Sequence, residues 1–103
     1  MPVKCKHFVH SCFGLKYIKG KELAQLISFV GRTNISYKTK ELFWEEDNPP
    51  EDLIIFIKGT KLEDGDYVII PVEDEELDEG FRNITIIPRD KVNSDSLRFS
   101  ICE

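Results

Sequence analysis

The chain has 103 residues, of which 41% are hydrophobic and 32% charged, and its formal net charge is −5. These values predict one domain, residues 1–103, with a single modest core, and they exclude a disordered tail. No apolar run reaches the roughly 18 residues of a membrane span, and residues 1–13 are too basic for a signal peptide, so we expect a cytoplasmic chain with no membrane partner.

The two parts of the chain carry opposite charge. Residues 1–40 contain eight Lys or Arg and one acid, whereas residues 41–103 contain six basic and eighteen acidic residues. Such asymmetry is typical of proteins that meet charged partners, and here it predicts a basic protein surface or a second copy of the chain. The three cysteines, Cys5, Cys12 and Cys102, are too few for a disulfide framework, so we expect reduced thiols.

The first part is predicted to form a β-hairpin followed by a helix. Val3–Val9 has mostly alternating apolar and basic residues and predicts a strand, Ser11–Gly14 predicts a turn, and Leu15–Ile18 predicts the returning strand. Apolar residues recur at helical spacing in Lys21–Val30, and Gly31 suits the position after the helix end. The apolar stripe consists of Leu23, Leu26, Ile27 and Val30.

The rest of the chain is predicted to be mostly strands. The patterns first predict a strand at Ile35–Trp44, a loop at Glu45–Asp52 and a buried strand at Leu53–Ile57. A turn at Gly59 and Thr60 and a strand at Asp66–Ile70 follow. The last predicted elements are a short helix starting within Glu73–Arg82, a strand at Asn83–Ile87 and a strand at Leu97–Ile101. A hairpin, a helix and then several strands is the order of the ubiquitin-like β-grasp fold. We therefore predict an α+β domain in which one mixed sheet packs on one main helix.

The densest acidic stretch is Lys61–Arg82, which holds nine of the nineteen acidic residues. An acidic turn around Gly65 precedes a short strand, and the second acidic run, Glu73–Glu79, follows it. Because the strand fixes the two acidic runs relative to each other, the stretch predicts one negative docking surface. The alternative interpretation is a solvated hairpin and a charged helix start.

The residues E-D-G-D-Y-V-I-I and E-D-E-E-L-D-E-G-F in this stretch resemble the acidic OPCA motif of Phox-and-Bem type (PB-one) interaction domains, which belong to the β-grasp superfamily. The resemblance implies a non-enzymatic scaffold in which an acidic face grips the basic face of the next domain, with Leu77 and Phe81 anchoring a helix. The acidic ligands that it implies are Asp64, Asp66, Glu75 and Glu76, and the basic ones are Lys4 and Lys6. We add the neighbouring Glu63 and Asp74 to the predicted partner-binding surface.

Cys5, His7, His10 and Cys12 are four residues of the type that binds zinc. Strand alternation would place Cys5 and His7 on one face and the other two residues on the opposite face, so we predict no metal site and keep metal binding as a weaker hypothesis. The sequence has no glycine-rich phosphate loop and no Ser-His-Asp arrangement, which predicts neither enzyme activity nor a cofactor.

Nucleic acid is a disfavoured partner. Lysines interleaved with aromatic residues near the N-terminus are typical of single-strand binding, but the acidic part of the chain would repel a phosphate backbone. The alternative function is that of a small acidic inhibitor of phage or viral type, which imitates nucleic acid and blocks a nucleic-acid-binding enzyme.

Overall fold

The computed structural model describes residues 3–7, 10–21, 23–74, 76–91 and 99–101. These residues form an α+β fold with one α-helix and two antiparallel sheets. The regular elements are β1 (Val3–His7), β2 (His10–Lys16), α1 (Leu23–Val30), β3 (Ile35–Lys38), β4 (Ile54–Ile57), β5 (Thr60–Leu62), β6 (Tyr67–Pro71), β7 (Thr85–Ile87) and β8 (Phe99–Ile101). Short 3-10 turns occupy Arg32–Asn34, Val72–Asp74 and Glu79–Phe81.

The predicted N-terminal hairpin is confirmed, but its turn was placed wrongly. Ser11–Gly14 lies inside β2, which is the central strand of the sheet ordered β7-β6-β2-β1-β8, and the connection at residues 8 and 9 lies outside the described residues. Gly14 serves close packing here rather than a turn, because a Cβ at this position would lie 3.1 Å from the sulfur of Cys5.

The predicted helix is confirmed as α1, and its apolar stripe is buried along its whole length. The helix ends at Gly31, where φ is +89° and the backbone N–H donates to the carbonyl of Ile27 at 2.8 Å. Glycine takes this left-handed conformation without the steric penalty of a Cβ, which is why the helix stops there.

The second sheet has the order β3-β4-β5 and differs from the sequence prediction at both ends. The strand predicted at Ile35–Trp44 ends at Lys38, because the next two residues bond to the carboxylate of Asp52 instead of to a strand. The turn was predicted one residue too late: Lys58 and Gly59, with φ of 48° and 83°, form a tight hairpin turn, and Thr60 begins β5.

The C-terminal part keeps the predicted strands but lacks the predicted helix among the residues that the structure describes. β6 starts one residue later than predicted and runs through Pro71, and β7 occupies the end of the segment Asn83–Ile87. Two 3-10 turns replace a helix in Glu73–Arg82. The last strand is Phe99–Ile101, and Leu97 lies outside the described residues.

The main core lies where the helix stripe meets one face of each sheet. Leu15 and Val68 come from the five-stranded sheet, and Ile55 and Ile57 from the three-stranded sheet. Because side chains alternate along a strand, Ile69 points the other way and packs in a second, smaller cluster with Cys5, Cys12 and Ile87.

The β-grasp prediction is not confirmed, since that fold needs one mixed sheet. The described strands instead form two sheets, and every described pairing between them is antiparallel. Within the described part of the chain, no helix is both long and apolar enough to cross a bilayer. The eight residues of α1 extend about 12 Å, against roughly 30 Å of hydrocarbon.

Candidate functional site

The acidic turn before β6 combines exposed carboxylates with a buried one. Gly65 has a φ of +91°, as the turn prediction requires, and Glu63 and Asp64 are exposed. Asp66 is only 6% exposed, and its two carboxylate oxygens accept the backbone N–H groups of Glu63 at 2.9 Å and Arg89 at 3.1 Å. Asp66 therefore ties the turn to the segment after β7, and we do not assign it to a partner surface.

Asp64 is exposed but also has an internal role. Its Oδ1 accepts the backbone N–H of Lys19 at 2.8 Å, which joins the acidic turn to the segment between β2 and α1. Burial raises the pKa of the Tyr17 hydroxyl, and the negative charge of Asp64 raises it further. A partner of Asp64 would therefore meet a carboxylate whose Oδ1 already accepts an internal hydrogen bond.

The second acidic run is also divided between inside and outside. Asp74 is 4% exposed, and its Oδ2 accepts the backbone N–H of Asn83 at 2.8 Å and the side-chain N–H of the same residue at 3.0 Å. Glu75 lies outside the described residues, and Glu76 is exposed. As with Asp66, the buried carboxylate of Asp74 stabilises the fold, and among the described residues of this run Glu76 is the predicted ligand on the surface.

Arg82 holds this run against the body of the domain. Its guanidinium donates to the carbonyl of Phe29 at 3.2 Å and to that of Leu77 at 3.3 Å. The carbonyl of Arg82 accepts the side-chain ammonium of Lys58 at 2.7 Å. Together with Asp74, these contacts fix the backbone of the run on both sides.

The motif resemblance implied that Leu77 and Phe81 anchor a helix, but the described residues around them form no α-helix. Leu77 is 41% exposed and Phe81 is 73% exposed. Exposed acidic residues lie beside them in the chain, so this region presents apolar groups within a negative surface. We call it the 72–81 surface, and its exposed members are Val72, Glu73, Glu76, Leu77, Asp78 and Phe81.

The predicted basic residues lie on β1. Lys4 and Lys6 are both exposed and share one face of the strand. Lys4 lies directly opposite the half-buried Phe13 of β2, and Lys6 lies opposite Ser11. The basic face therefore has an aromatic neighbour, which gives a partner both charge and apolar area to contact.

The cysteine and histidine cluster differs from its sequence interpretation. The strand register places Cys5 opposite Cys12 and His7 opposite His10. Both cysteine side chains are buried, and their sulfurs are 2.7 Å apart in a thiol–thiol hydrogen bond, whereas His10 is exposed. Among the side chains that the structure describes, no three Cys, His, Asp or Glu residues come together as a metal site.

Leu42 and Phe43 form a second exposed apolar group, which the predicted strand Ile35–Trp44 does not anticipate. These side chains are 88% and 92% exposed, in the loop formed by residues 39–52. The sequence signal is a Leu-Phe-Trp triplet beside six acidic residues and a Pro-Pro pair, which is typical of a loop and not of a sheet.

Comparison with protein-family models, curated proteins and solved structures finds no match for this chain.

Proposed function

We propose that this chain is a non-enzymatic protein-interaction module that docks an acidic surface onto a basic partner protein. The observation that carries the proposal is Phe81, which is 73% exposed in a segment that Asp74 and Arg82 hold in place. An aromatic side chain that is mostly exposed on a segment held in place is available to another molecule.

The chemistry of the 72–81 surface suits protein docking. Exposed aromatic residues supply much of the binding energy of interfaces, because they bury a large area and lose little conformational freedom. An exposed ion pair is worth only about 0.2–1 kcal/mol, so Glu73, Glu76 and Asp78 would act together and mainly speed association. Apolar groups would then add contact area to an association that the carboxylates direct to a basic partner and make sensitive to salt.

Head-to-tail assembly through the Phox-and-Bem type arrangement is one form of this proposal. Of the acidic ligands that the resemblance implies, Asp64 and Glu76 are exposed, as is the neighbouring Glu63, and Lys4 and Lys6 are exposed too. The hairpin followed by a helix supports a β-grasp relationship, while the division into two sheets argues against it. We therefore base the proposal on the surfaces and not on the fold.

The inhibitor hypothesis requires a different surface. A nucleic-acid mimic needs carboxylates at phosphate-like spacing over a long distance. In this chain Leu77 and Phe81 interrupt the acidic run, and Asp66 and Asp74 turn their carboxylates inward. These features favour docking on a basic protein over mimicry.

The test is light scattering on a sizing column, with two charge-reversal variants and their mixture. We expect the wild-type mass to rise above 12.0 kDa with concentration at low salt and to return to it at high salt. The variant Glu63→Lys/Glu76→Lys and the variant Lys4→Glu/Lys6→Glu should each lose this association. Equal amounts of the two should still form a dimer, because each retains one intact face.

A dimer that persists at high salt, or variants that associate like the wild type, would contradict head-to-tail assembly. A monomer under all conditions would move the test to heterologous partners. In that case the wild type should retain basic proteins from a lysate, and the variant Leu77→Ser/Phe81→Ser should not. Retention of only nucleases or polymerases by the wild type would favour the inhibitor hypothesis.

A further inference from the structure

The 39–52 loop is closed and braced by its own contacts. The carboxylate of Asp52 accepts the hydroxyl of Thr39 at 2.6 Å and the backbone N–H of Lys40 at 2.8 Å. These two bonds join the ends of the loop. The hydrogen bond from Thr39 and then that from Lys40 hold the pKa of Asp52 below its ordinary value, so the carboxylate stays charged at neutral pH.

The middle of the loop is fixed as well. Trp44 packs edge-to-face on Tyr37, with ring centroids 5.2 Å apart and an interplanar angle of 82°. The guanidinium of Arg32 pairs with the carboxylate of Glu46 at 2.8 Å. The residues that follow the Leu42–Phe43 pair are therefore tied to β3 and to the turn after α1, and those that precede it are tied to Asp52.

In spite of this bracing, two of the three large apolar side chains of the loop, Leu42 and Phe43, point to solvent. Leu42 and Phe43 are 88% and 92% exposed, more than any other large hydrophobic residue that the structure describes. Their neighbour Trp44 is half-buried against the main core, so the indole occupies the apolar site nearest to the pair. Two adjacent apolar groups on a fixed loop form a preorganised knob, and such a knob loses little conformational entropy on binding.

We propose that Leu42 and Phe43 insert into an apolar cleft that is bordered by Lys or Arg side chains on a protein partner. The charges around the pair identify the partner. Exposed carboxylates flank the pair, namely Glu41, Glu45, Asp47 and Glu51, and the one basic residue within the loop is Lys40. A cleft with a basic border matches this ring of negative charge, whereas an acidic border would be repelled.

The same charges decide against a lipid surface. Leu, Phe and Trp at a loop tip are found in membrane-binding proteins, but those proteins carry basic residues that face anionic headgroups. This loop carries carboxylates in that position, so a protein cleft is the better match. The inference is independent of the proposed function, because it uses none of the residues of the 72–81 surface.

The test begins with photo-crosslinking in the full chain. Phe43 is replaced by the photoreactive p-benzoylphenylalanine, and a second sample carries the same group at Lys61, an exposed position on β5. After irradiation in a lysate of the source cells, the expected result is a protein captured from position 43 and not from position 61. Its crosslinked peptide should line an apolar cleft that contains Lys or Arg.

The second step measures affinity with the captured protein after its purification. We expect the variant Leu42→Ser/Phe43→Ser to bind at least about a hundredfold more weakly, given the apolar area that two such side chains bury. The control variant Leu77→Ser/Phe81→Ser changes only the 72–81 surface and should bind that protein with wild-type affinity. This result tests the Leu42–Phe43 pair whether or not the 72–81 surface binds a partner. Trp44, the one tryptophan, reports contact with the loop through its fluorescence.

Four affinity or crosslinking results would overturn the inference. They are wild-type affinity of the Leu42→Ser/Phe43→Ser variant, a crosslink only to a second copy of the chain, a crosslinked site without Lys or Arg, and no protein captured from position 43. Phosphatidylcholine vesicles supply the membrane control. A blue shift of Trp44 emission on their addition, lost in the serine variant, would assign the pair to lipid instead.

Discussion

Replacing Asp66 should unfold the acidic turn rather than weaken a binding surface. Its two oxygens satisfy two backbone N–H groups, one from Glu63 and one from Arg89, and the residue is 6% exposed. Asp66→Ala leaves both donors without this acceptor, at a cost of about 1–3 kcal/mol each, while relief of the cost of burying a carboxylate offsets part of the loss. We expect a net loss of about 2–4 kcal/mol in the free energy of unfolding.

Thermal denaturation followed by circular dichroism measures this loss. A destabilisation of that size should lower the melting temperature of a domain of this length by at least about 8 °C. Asp66→Asn retains one carbonyl acceptor and should lose less stability. Asp78→Ala is the matched control, because Asp78 is exposed and its loss should change stability by no more than about 0.5 kcal/mol.

A melting temperature for Asp66→Ala within about 2 °C of the wild type would refute this reasoning. The carboxylate would then be dispensable inside the protein and available to a partner, as the motif resemblance implied. If the prediction is confirmed, charge reversal at Asp66 cannot serve as a binding test, because loss of binding would follow from loss of structure. Glu63 and Glu76 are the better positions for that test, since both are exposed.

Three further predictions concern the 39–52 loop, Tyr37 of β3 and the cysteine pair. The bonds from Thr39 and Lys40 hold the pKa of Asp52 in the folded protein below its ordinary value of 3.8. Loop closure should therefore be complete above pH 3.8 and be lost as the pH falls through the lower pKa of the folded state. Trp44 fluorescence should show this step, and Asp52→Asn should abolish it. The buried hydroxyl of Tyr37 has no hydrogen-bond partner among the described residues, so Tyr37→Phe should leave stability unchanged or raise it by up to about 1 kcal/mol; a clear loss in a thermal melt would indicate a bond that the structure lacks. Oxidised glutathione should convert the opposed thiols of Cys5 and Cys12 into an intrachain disulfide, with release of two reduced glutathione molecules. Peptide mapping should find that disulfide, and its absence would mean that the two cysteines cannot reach the geometry of the bond.

Several features of the fold could be predicted from the sequence because their causes are local. The stripe of four apolar residues in α1 follows from helical periodicity, and its burial needs only some apolar surface to pack on. Gly31 and Gly65 have positive φ, and their positions were predicted because glycine is the residue that takes this conformation without strain. The N-terminal hairpin and most strands were likewise recognised from short-range alternation.

Other features depended on residues that are far apart in the sequence. Ser11–Gly14 has the composition of a turn, yet it forms a central strand because β6 pairs with it across more than fifty residues and Gly14 makes room for Cys5. Leu42 and Phe43 look like strand residues, but the bonds between Asp52 and the residues after Lys38 end the strand first. No local pattern contains these partners.

The candidate site divides in the same way. The local composition of residues 61–82 is enough to predict a strongly acidic segment with a glycine turn and a strand. Which carboxylates reach the surface depends on the folded chain: Asp66 accepts the backbone N–H groups of Glu63 and of the more distant Arg89, and Asp74 accepts that of Asn83, whereas Glu63 and Glu76 face solvent. The physical reason is that a carboxylate is buried only where several donors converge on it, and that convergence is a property of the folded chain rather than of any short stretch.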